Sequence, residues 1–296
     1  MSTRPARLGI GVVSAGRVGS VLGAAWSLAG HRVVATSGVS RASVRRAAEL
    51  LPQVPLLSPD EVVARADLAV LAVPDDVLPG LVRGLVAAGA FRAGQIVVHT
   101  SGAHGVAVLD PAAESGVLPL ALHPVMTFTG RNEDVARLAG CAVGVTAADG
   151  DEIGWNVGEA LVVEMGAEPV RVAEPLRPLY HAALAHGANH LVTLVRDCAE
   201  TLERAGIGPA ERLVAPLLSA ALDNALRHGD RALTGPVSRG DSETVRTHLR
   251  ELHAIDPELE DTYRVLARRT ARRAAKAGLL PDHLAHEVLT TLEDPP

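Results

Sequence analysis

Histidines end two consecutive predicted strands, where each could exchange a proton with a bound ligand. His99 ends the stretch IVVH before Thr100 and Ser101, and His123 ends LPLALH before Pro124. The ordinary pKa of histidine is near neutrality, so either ring could act as an acid or a base at physiological pH. Ligands of open α/β sheets bind at the carboxyl ends of strands, where both rings are predicted to lie. A structural, hydrogen-bonded role is the alternative for each.

A second polar set lies on a long predicted helix over residues 175–205. Its members share one face, because they are spaced at i, i+3, i+4, i+7 and i+11. They are His186, Asn189, His190, Thr193 and Asp197. This face could line a substrate cleft, and a solvated surface stripe or interhelix hydrogen bonds are the alternatives. His181 falls on the more apolar face, where we expect a buried structural role. His186 and His190 have the spacing of metal ligands, but no third ligand accompanies them, so we predict no metal site.

A glycine-rich turn near the start of the chain could bind the phosphates of a dinucleotide. The stretch LGIGVVSAGRVGSVLGAAW resembles a strand, a G-x-G-x-x-G turn and a helix, with serine at the first glycine. Gly16 can still admit the pyrophosphate and Gly19 can let the helix pack on the strand, whereas Ser14 adds some turn strain. The helix N-terminus offers N–H groups to an anion. The predicted cofactor contacts are Gly11, Ser14, Ala15, Gly16, Arg17, Val18 and Gly19. A plain connecting turn is the alternative.

The end of the second predicted strand distinguishes between the two nicotinamide dinucleotides. NAD-binding folds place an acid about 20 residues beyond the turn, where it holds the ribose 2′-hydroxyl. Here residues 35–41 read ATSGVSR, without an acid. Ser37, Ser40 and Arg41 suit a 2′-phosphate, because a guanidinium binds phosphate bidentately. We therefore predict NADP as the cofactor; arginines that only solvate a helix face are the alternative.

The hydrophobic pattern divides the chain that carries these candidate residues into two parts. Up to residue 173, short β-branched segments alternate with helical ones, which predicts an α/β fold with a Rossmann-type, doubly wound parallel sheet. Beyond it the pattern is helical, at 175–205, 209–228, 241–255, 257–277 and 281–292. We predict a dinucleotide-binding domain over residues 1–173 and an all-helical domain over residues 174–296.

Composition narrows the class of protein. The 296 residues are 48% hydrophobic and 21% charged, which suffices for buried cores in two domains. We expect a cytoplasmic protein that binds no membrane, because no apolar run reaches membrane-spanning length and no secretory signal is recognised. A net charge of −6 and 2% aromatic residues predict no nucleic-acid binding, and the basic run at 268–276 is expected to be a solvated helix face. Cys141 and Cys198 are expected to be buried free thiols.

Six motifs together resemble a poorly characterised bacterial family that pairs a Rossmann-like NADP-binding domain with a helical C-terminal domain. They are SAGRVG at 14–19, LAVPDD at 71–76, VVHTSGAHG at 97–105, LPLALHPVMTFTG at 118–130, YHAALAHGANHLVTL at 180–194 and ALTGPVSRGD at 232–241. That family is similar to pyrroline-carboxylate reductases, deazaflavin-dependent NADP oxidoreductases and ketopantoate reductases. The resemblance implies an oxidoreductase that reduces a small carbonyl acid such as ketopantoate, or an imine acid. It also implies a homodimer formed through the helical domain.

The resemblance suggests a role for several side chains. The His123–Pro124 pair looks like the strand-end histidine of prephenate dehydrogenases. His186 and Asn189 stand roughly where ketopantoate-type reductases carry a catalytic lysine and an asparagine, and the only lysine here is Lys276. The proton donor is therefore predicted to be His123 or His186, with Asn189 orienting the substrate.

The remaining site residues follow from the same resemblance. The loop at 232–241 stands where pyrroline-carboxylate reductases carry a substrate loop, although a plain helix connection also explains its glycine and proline. The implied substrate contacts are Ser101, Thr234, Gly235 and Arg239, of which Arg239 would clamp a carboxylate, and further cofactor contacts are Val73, Pro74 and Thr100. A non-catalytic NADP-binding sensor or assembly protein is the alternative function, and a deazaflavin partner is a third possibility.

Overall fold

The computed structural model describes residues 7–294. Residues 1–6, which belong to the segment judged for a secretory signal, and residues 295–296 lie outside the described residues. The chain forms two compact units, Met1–Gly187 and Ala188–Pro296. The division falls inside a long helix, and the domain boundary at residue 173 stays a prediction.

The first unit contains a seven-stranded sheet. Its strands are β1 (Gly9–Val13), β2 (Arg32–Thr36), β3 (Leu68–Leu71), β4 (Ile96–His99), β5 (Leu118–Pro124), β6 (Ala142–Thr146) and β7 (Glu168–Arg171), in the order β2-β1-β3-β4-β5-β6-β7. The Rossmann-type α/β fold is confirmed, but β6 runs antiparallel to β5 whereas the other pairs are parallel. Strand β7 was not predicted, because its sequence EPVR is charged and mostly exposed, as an edge strand can be.

Helices cover both faces of this sheet. They are α1 (Arg17–Leu28), α2 (Arg41–Leu50), α3 (Pro59–Arg65), α4 (Leu78–Ala87), α5 (Asp110–Ala113), α6 (Asn132–Leu138), α7 (Glu152–Glu164) and the first turns of α8 (Arg177–Arg204). Side chains on the two faces of β1 belong to two different hydrophobic cores. Ile10 packs with α1 and α7, whereas Val13 packs with α3 and α4. Trp26 of α1 is fully buried and donates a hydrogen bond from Nε1 to the carbonyl of Leu161, at 2.9 Å. This packing fixes the start of α1 beside the end of β1.

The second unit is helical throughout its described elements. It comprises the rest of α8, then α9 (Ala210–His228), α10 (Pro236–Arg239), α11 (Ser242–Ile255), α12 (Pro257–Lys276) and α13 (Asp282–Thr291). The five helices predicted beyond residue 173 are confirmed as α8, α9, α11, α12 and α13. Its core lies among α11, α12 and α13 and includes Val245, Ala271 and Val288. No helix within residues 7–294 is both long and apolar enough to cross a bilayer.

Candidate functional site

The predicted cofactor segments meet at one edge of the sheet in the first unit. Strands β1, β3 and β4 are parallel neighbours, and Val13, Leu71 and His99 lie side by side at their ends. The glycine-rich turn, the segment with Val73 and Pro74, and the segment with Thr100 and Ser101 follow these three strand ends. Sheets of this strand order have their topological switch point between β1 and β3, where ligands bind.

Ser14 adopts the backbone conformation that glycine usually provides in this turn. Its φ angle is +76°, in the left-handed region that side chains disfavour. Ser37 holds the turn in place from the end of β2. Its Oγ accepts a hydrogen bond from the Ser14 N–H at 2.8 Å, and its carbonyl accepts one from the Ala15 N–H at 2.7 Å. The serine therefore preserves the turn, at the cost of the strain expected from the sequence.

The glycines of the turn permit close packing. A Cβ atom on Gly19 would lie 2.3 Å from the Ser14 carbonyl oxygen and 2.9 Å from the Ala72 Cβ, so only glycine lets α1 approach the turn. A Cβ on Gly11 would lie 2.7 Å from the Val62 carbonyl oxygen, on the neighbouring α3. Gly16 is the N-cap of α1, and no side chain caps this helix. The first turn of α1 therefore presents N–H groups that can bind a phosphate.

The segment after β2 carries the residues predicted to meet a 2′-phosphate. Ser37 is buried and Ser40 caps α2 with its hydroxyl, so both hydroxyls already have structural partners. Arg41, the first residue of α2, is exposed at the edge of the site. Arg46 instead folds back toward the turn, with Nη1 3.5 Å from the Ala15 carbonyl oxygen. The Arg41 guanidinium is thus accessible to a phosphate, and no acid lies among residues 35–41.

His99 has a structural role. Its ring is fully buried, Nε2 lies 2.9 Å from the Gly105 carbonyl oxygen, and Nδ1 accepts the Ser101 N–H at 3.2 Å. These contacts place the proton on Nε2. Burial lowers the pKa of His99 to about 3, so the ring is neutral at physiological pH. The ring shapes the loop that follows β4.

His123 is half-buried and contacts two aromatic rings from the start of α8. Its Nδ1 lies 2.9 Å from the hydroxyl of Tyr180, and its ring meets that of His181 edge to face, with centroids 5.9 Å apart. Burial, reinforced by the charge of Arg177 and by His181, lowers the pKa of His123 to about 4. The ring is therefore neutral at pH 7. His181 is half-buried and joins this cluster, which differs from the buried structural role expected of it.

Two glycines make room for the cluster of His123, Tyr180 and His181. A Cβ on Gly102 would lie 2.8 Å from Nε2 of His123 and 2.6 Å from Cδ2 of His181. A Cβ on Gly144 would lie 2.6 Å from the Tyr180 hydroxyl oxygen. Nε2 of His123 therefore faces the segment after β4, where Thr100 and Ser101 were predicted to contact the cofactor and the substrate.

A buried arginine ties the start of α8 to the loops around this cluster. Arg177 has no exposed surface and donates hydrogen bonds to the carbonyls of Ser101, His104 and Gly144, at 2.6, 2.9 and 3.3 Å. Sequence reasoning missed both Arg177 and Tyr180, because residues at the start of a predicted helix give no sign of the loops they meet. The available signal was that Tyr180 directly precedes His181 in a chain with only two tyrosines.

The other predicted site residues lie farther along the chain. His186 is exposed and lies five residues beyond His181, on the opposite side of α8 from Tyr180 and His181. Asn189 belongs to the second unit, together with the substrate-loop residues Thr234, Gly235 and Arg239. Gly235 has a φ of +93° and precedes α10, as a helix connection requires. The roles of these residues stay predictions. No set of three His, Cys, Asp or Glu side chains that could hold a metal occurs in the described part of the chain.

Family models match both parts of the chain. Residues 1–124 match the model of a Rossmann-like domain, and residues 141–270 match that of a domain of unknown function, DUF2520. The chain therefore combines a Rossmann-like domain with a helical C-terminal region of that type. A search of curated proteins found no match.

Solved structures share this fold at low sequence identity. A Bacteroides fragilis protein with the provisional name of NADP oxidoreductase is 22% identical, with a TM-score of 0.75 over 89% of this chain and 98% of its own. An imine reductase from Myxococcus stipitatus, in complex with NADP+, is 20% identical, with a TM-score of 0.59 over 97% of this chain and 100% of its own. A pyrroline carboxylate reductase from Plasmodium falciparum, with NADP bound, is 11% identical, with a TM-score of 0.57 over 97% of this chain and 98% of its own.

Proposed function

We propose that this protein is an NADP-dependent oxidoreductase that reduces a small carbonyl acid or imine acid by hydride transfer. The observation that carries the proposal is the turn at residues 14–19. It lies at the switch point of a Rossmann-type sheet, holds its first position in the left-handed conformation and opens onto an uncapped helix N-terminus. These features fit a pyrophosphate, because they supply close backbone approach and N–H donors together.

The choice of NADP rests on charge near the end of β2. The exposed guanidinium of Arg41 can pair with a 2′-phosphate, and residues 35–41 supply no carboxylate for a ribose 2′-hydroxyl. The solved imine reductase and pyrroline carboxylate reductase hold NADP in the same fold, which supports this choice. When bound, NADPH would supply the hydride.

We assign to His123 the donation of the proton that the substrate receives. Tyr180 assists by supplying a proton to the His123 ring. In this assignment the Tyr180 hydroxyl, 2.9 Å from Nδ1, donates to it, and the neutral ring carries its proton on Nε2, which faces the segment after β4. As hydride reaches the carbonyl or imine carbon, the Nε2 proton passes to the substrate oxygen or nitrogen and the Tyr180 proton passes to Nδ1. Water then returns a proton to Nε2, and Nδ1 gives its proton back to the Tyr180 oxygen, which restores the starting state. His186 is the alternative donor, and Asn189, Ser101, Thr234, Gly235 and Arg239 are the residues proposed to bind the substrate.

The exposed surface of α9 supports a homodimer through the helical unit. Leu213, Leu217, Leu222 and Leu226 are between 49% and 79% exposed. Leu213 and Leu222 lie on opposite sides of the helix, so its apolar surface is not confined to one stripe. Exposed leucines grouped on one helix form an apolar patch of the kind that marks a protein–protein contact. We therefore expect a second copy to cover α9, and Leu217→Glu to yield monomers in sedimentation velocity, whereas Arg83→Glu on α4 of the first unit leaves the dimer intact.

The function is tested by NADPH oxidation with a panel of 2-oxo acids, including ketopantoate, and cyclic imine acids. Oxidation that depends on one panel member, and that His123→Gln abolishes, supports the proposal and identifies the substrate class. Tight NADPH binding without turnover across the panel would support the NADP-binding sensor instead. Absence of NADPH binding would contradict both functions.

A further inference from the structure

The second unit contains a large cavity of its own. Its volume is about 610 Å³. Its walls come from four segments: the last turns of α8, residues 234–237 at the start of α10, helix α11 and helix α12. Aliphatic side chains such as Leu194, Leu202, Leu252, Leu259 and Leu266 form most of the lining. A volume of this size and an apolar lining with a few polar groups are typical of small-molecule sites.

The charged groups of the lining are all acidic. Asp197 and Glu251 line the cavity, and no lysine or arginine does. Glu251 is exposed and pairs with Arg250, so its charge is compensated. Asp197 is half-buried, and the neighbouring Arg196 pairs with Glu200 and Glu211 rather than with it. The cavity therefore contains one half-buried carboxylate that Arg196 does not neutralise.

Other polar groups line the same cavity. His248 and Tyr263 form a hydrogen-bonded pair, with 2.9 Å between Nδ1 and the hydroxyl oxygen, and Thr234 and Thr270 also line the cavity. These groups can hydrogen-bond a ligand but supply no fixed positive charge. An anionic ligand would meet the carboxylate of Asp197 in apolar surroundings, where repulsion between like charges is strong. A cation would be attracted to it.

We infer that this cavity binds an apolar organic cation, a hydrocarbon body that carries one protonated amine, with the amine on Asp197. The hydrocarbon lies against the leucines, and the ammonium group donates hydrogen bonds to the carboxylate. A charge-assisted bond in a sheltered site is stronger than a bond between neutral groups. All of its lining residues belong to the second unit, so the binding test uses the chain without NADPH.

The test is calorimetric titration of the full chain, without NADPH, with three ligands of one shape: 4-phenylbutylamine, 4-phenylbutan-1-ol and 4-phenylbutyrate. The amine is expected to bind at least tenfold more tightly than the alcohol, and the carboxylate to bind most weakly. Equal binding of amine and alcohol, or absence of amine binding, would overturn the inference. This comparison uses the unaltered chain, so it does not depend on a variant that folds poorly.

Two substitutions on α8 locate the site. Asp197→Asn is expected to weaken amine binding at least tenfold and to leave alcohol binding unchanged. Glu200→Gln removes an exposed carboxylate that pairs with Arg196, and should change neither. Amine binding that survives Asp197→Asn would overturn the inference. Binding that appears only in the Leu217→Glu variant would also overturn it, because a second copy would then fill the cavity.

Discussion

The hydroxyl of Tyr180 lies 2.9 Å from Nδ1 of His123, at the edge of the sheet where β5 ends. In the proposed reaction this hydroxyl replaces the proton that His123 gives to the substrate. Tyr180→Phe should therefore lower kcat about 10- to 100-fold, since positioned proton transfer contributes about 100-fold or more, and leave the Kd of NADPH unchanged. Steady-state kinetics and NADPH titration of the variant measure both quantities.

The helical unit provides a matched control for this variant. Tyr263 and His248 form a second pair at the same distance of 2.9 Å. Tyr263→Phe removes an equivalent hydrogen bond that does not involve His123, so kcat should stay within about twofold of the unaltered protein. Equal losses in the two variants would show that Tyr180 acts only through the stability of the chain.

The depressed pKa of His99 predicts a specific loss of stability in acid. Burial lowers this pKa to about 3, whereas an unfolded histidine titrates near 6.5. Between these values the unfolded state binds more protons, so the free energy of unfolding falls as pH falls below about 6.5. From pH 7 to pH 5 this histidine alone should remove about 2 kcal/mol.

Denaturant unfolding at pH 7 and pH 5 measures that loss. His99→Gln should reduce the difference between the two pH values by about 2 kcal/mol, whatever the variant does to the stability at pH 7. The carboxylates whose pKa is lowered, such as Asp134, lose their contribution only in stronger acid, so they do not obscure this range. A pH dependence that is the same in both proteins would show that His99 is not buried as a neutral ring.

The glycine-rich turn predicts opposite effects for two neighbouring substitutions. Ser14→Gly relieves a non-glycine residue at φ +76° and should raise the free energy of unfolding by up to about 1 kcal/mol, with NADPH binding retained. Gly19→Ala places a Cβ 2.3 Å from the Ser14 carbonyl oxygen and should lower that free energy by about 2 kcal/mol. It should also weaken NADPH binding at least about tenfold, or about 1.4 kcal/mol.

Gly84→Ala is the control for these variants. Gly84 lies inside α4 and a Cβ there would meet no atom within 4 Å, so alanine should leave NADPH binding unchanged and stabilise the helix by about 0.5–1 kcal/mol. Thermal unfolding and NADPH titration compare the three variants. A Gly19→Ala protein that matches Gly84→Ala in both measurements would contradict the packing described for the turn.

The sequence predicts the scaffold well where a local pattern carries the information. Periodicity places the long helices, and the spacing of residues 14–19 identifies the turn, because both depend on neighbours in the chain. The antiparallel pairing of β5 with β6 could not be predicted, since the connection between them contains a helix, as a parallel crossover would. The contact between His123 and Tyr180 and the three carbonyls that Arg177 binds join residues far apart in sequence. No single-sequence pattern indicates such contacts.

Arg41 should determine the preference between the two dinucleotides. Arg41→Glu replaces the guanidinium with a carboxylate that repels a 2′-phosphate and can accept a hydrogen bond from a 2′-hydroxyl. The ratio of NADH to NADPH dissociation constants should fall at least about tenfold, or about 1.4 kcal/mol. Arg32→Glu is the control, because Arg32 is exposed at the opposite end of β2. If both variants keep the ratio of the unaltered protein, Arg41 does not contact the phosphate.

Titration of the unaltered protein with NADPH and NADH, monitored by nicotinamide fluorescence, is the most direct test of the proposed cofactor site. We expect saturable NADPH binding, with a Kd at least about tenfold lower than that of NADH, because the turn binds the pyrophosphate and Arg41 binds the 2′-phosphate. If neither dinucleotide binds, Ser14 has removed the function of the turn and the proposed oxidoreductase is contradicted.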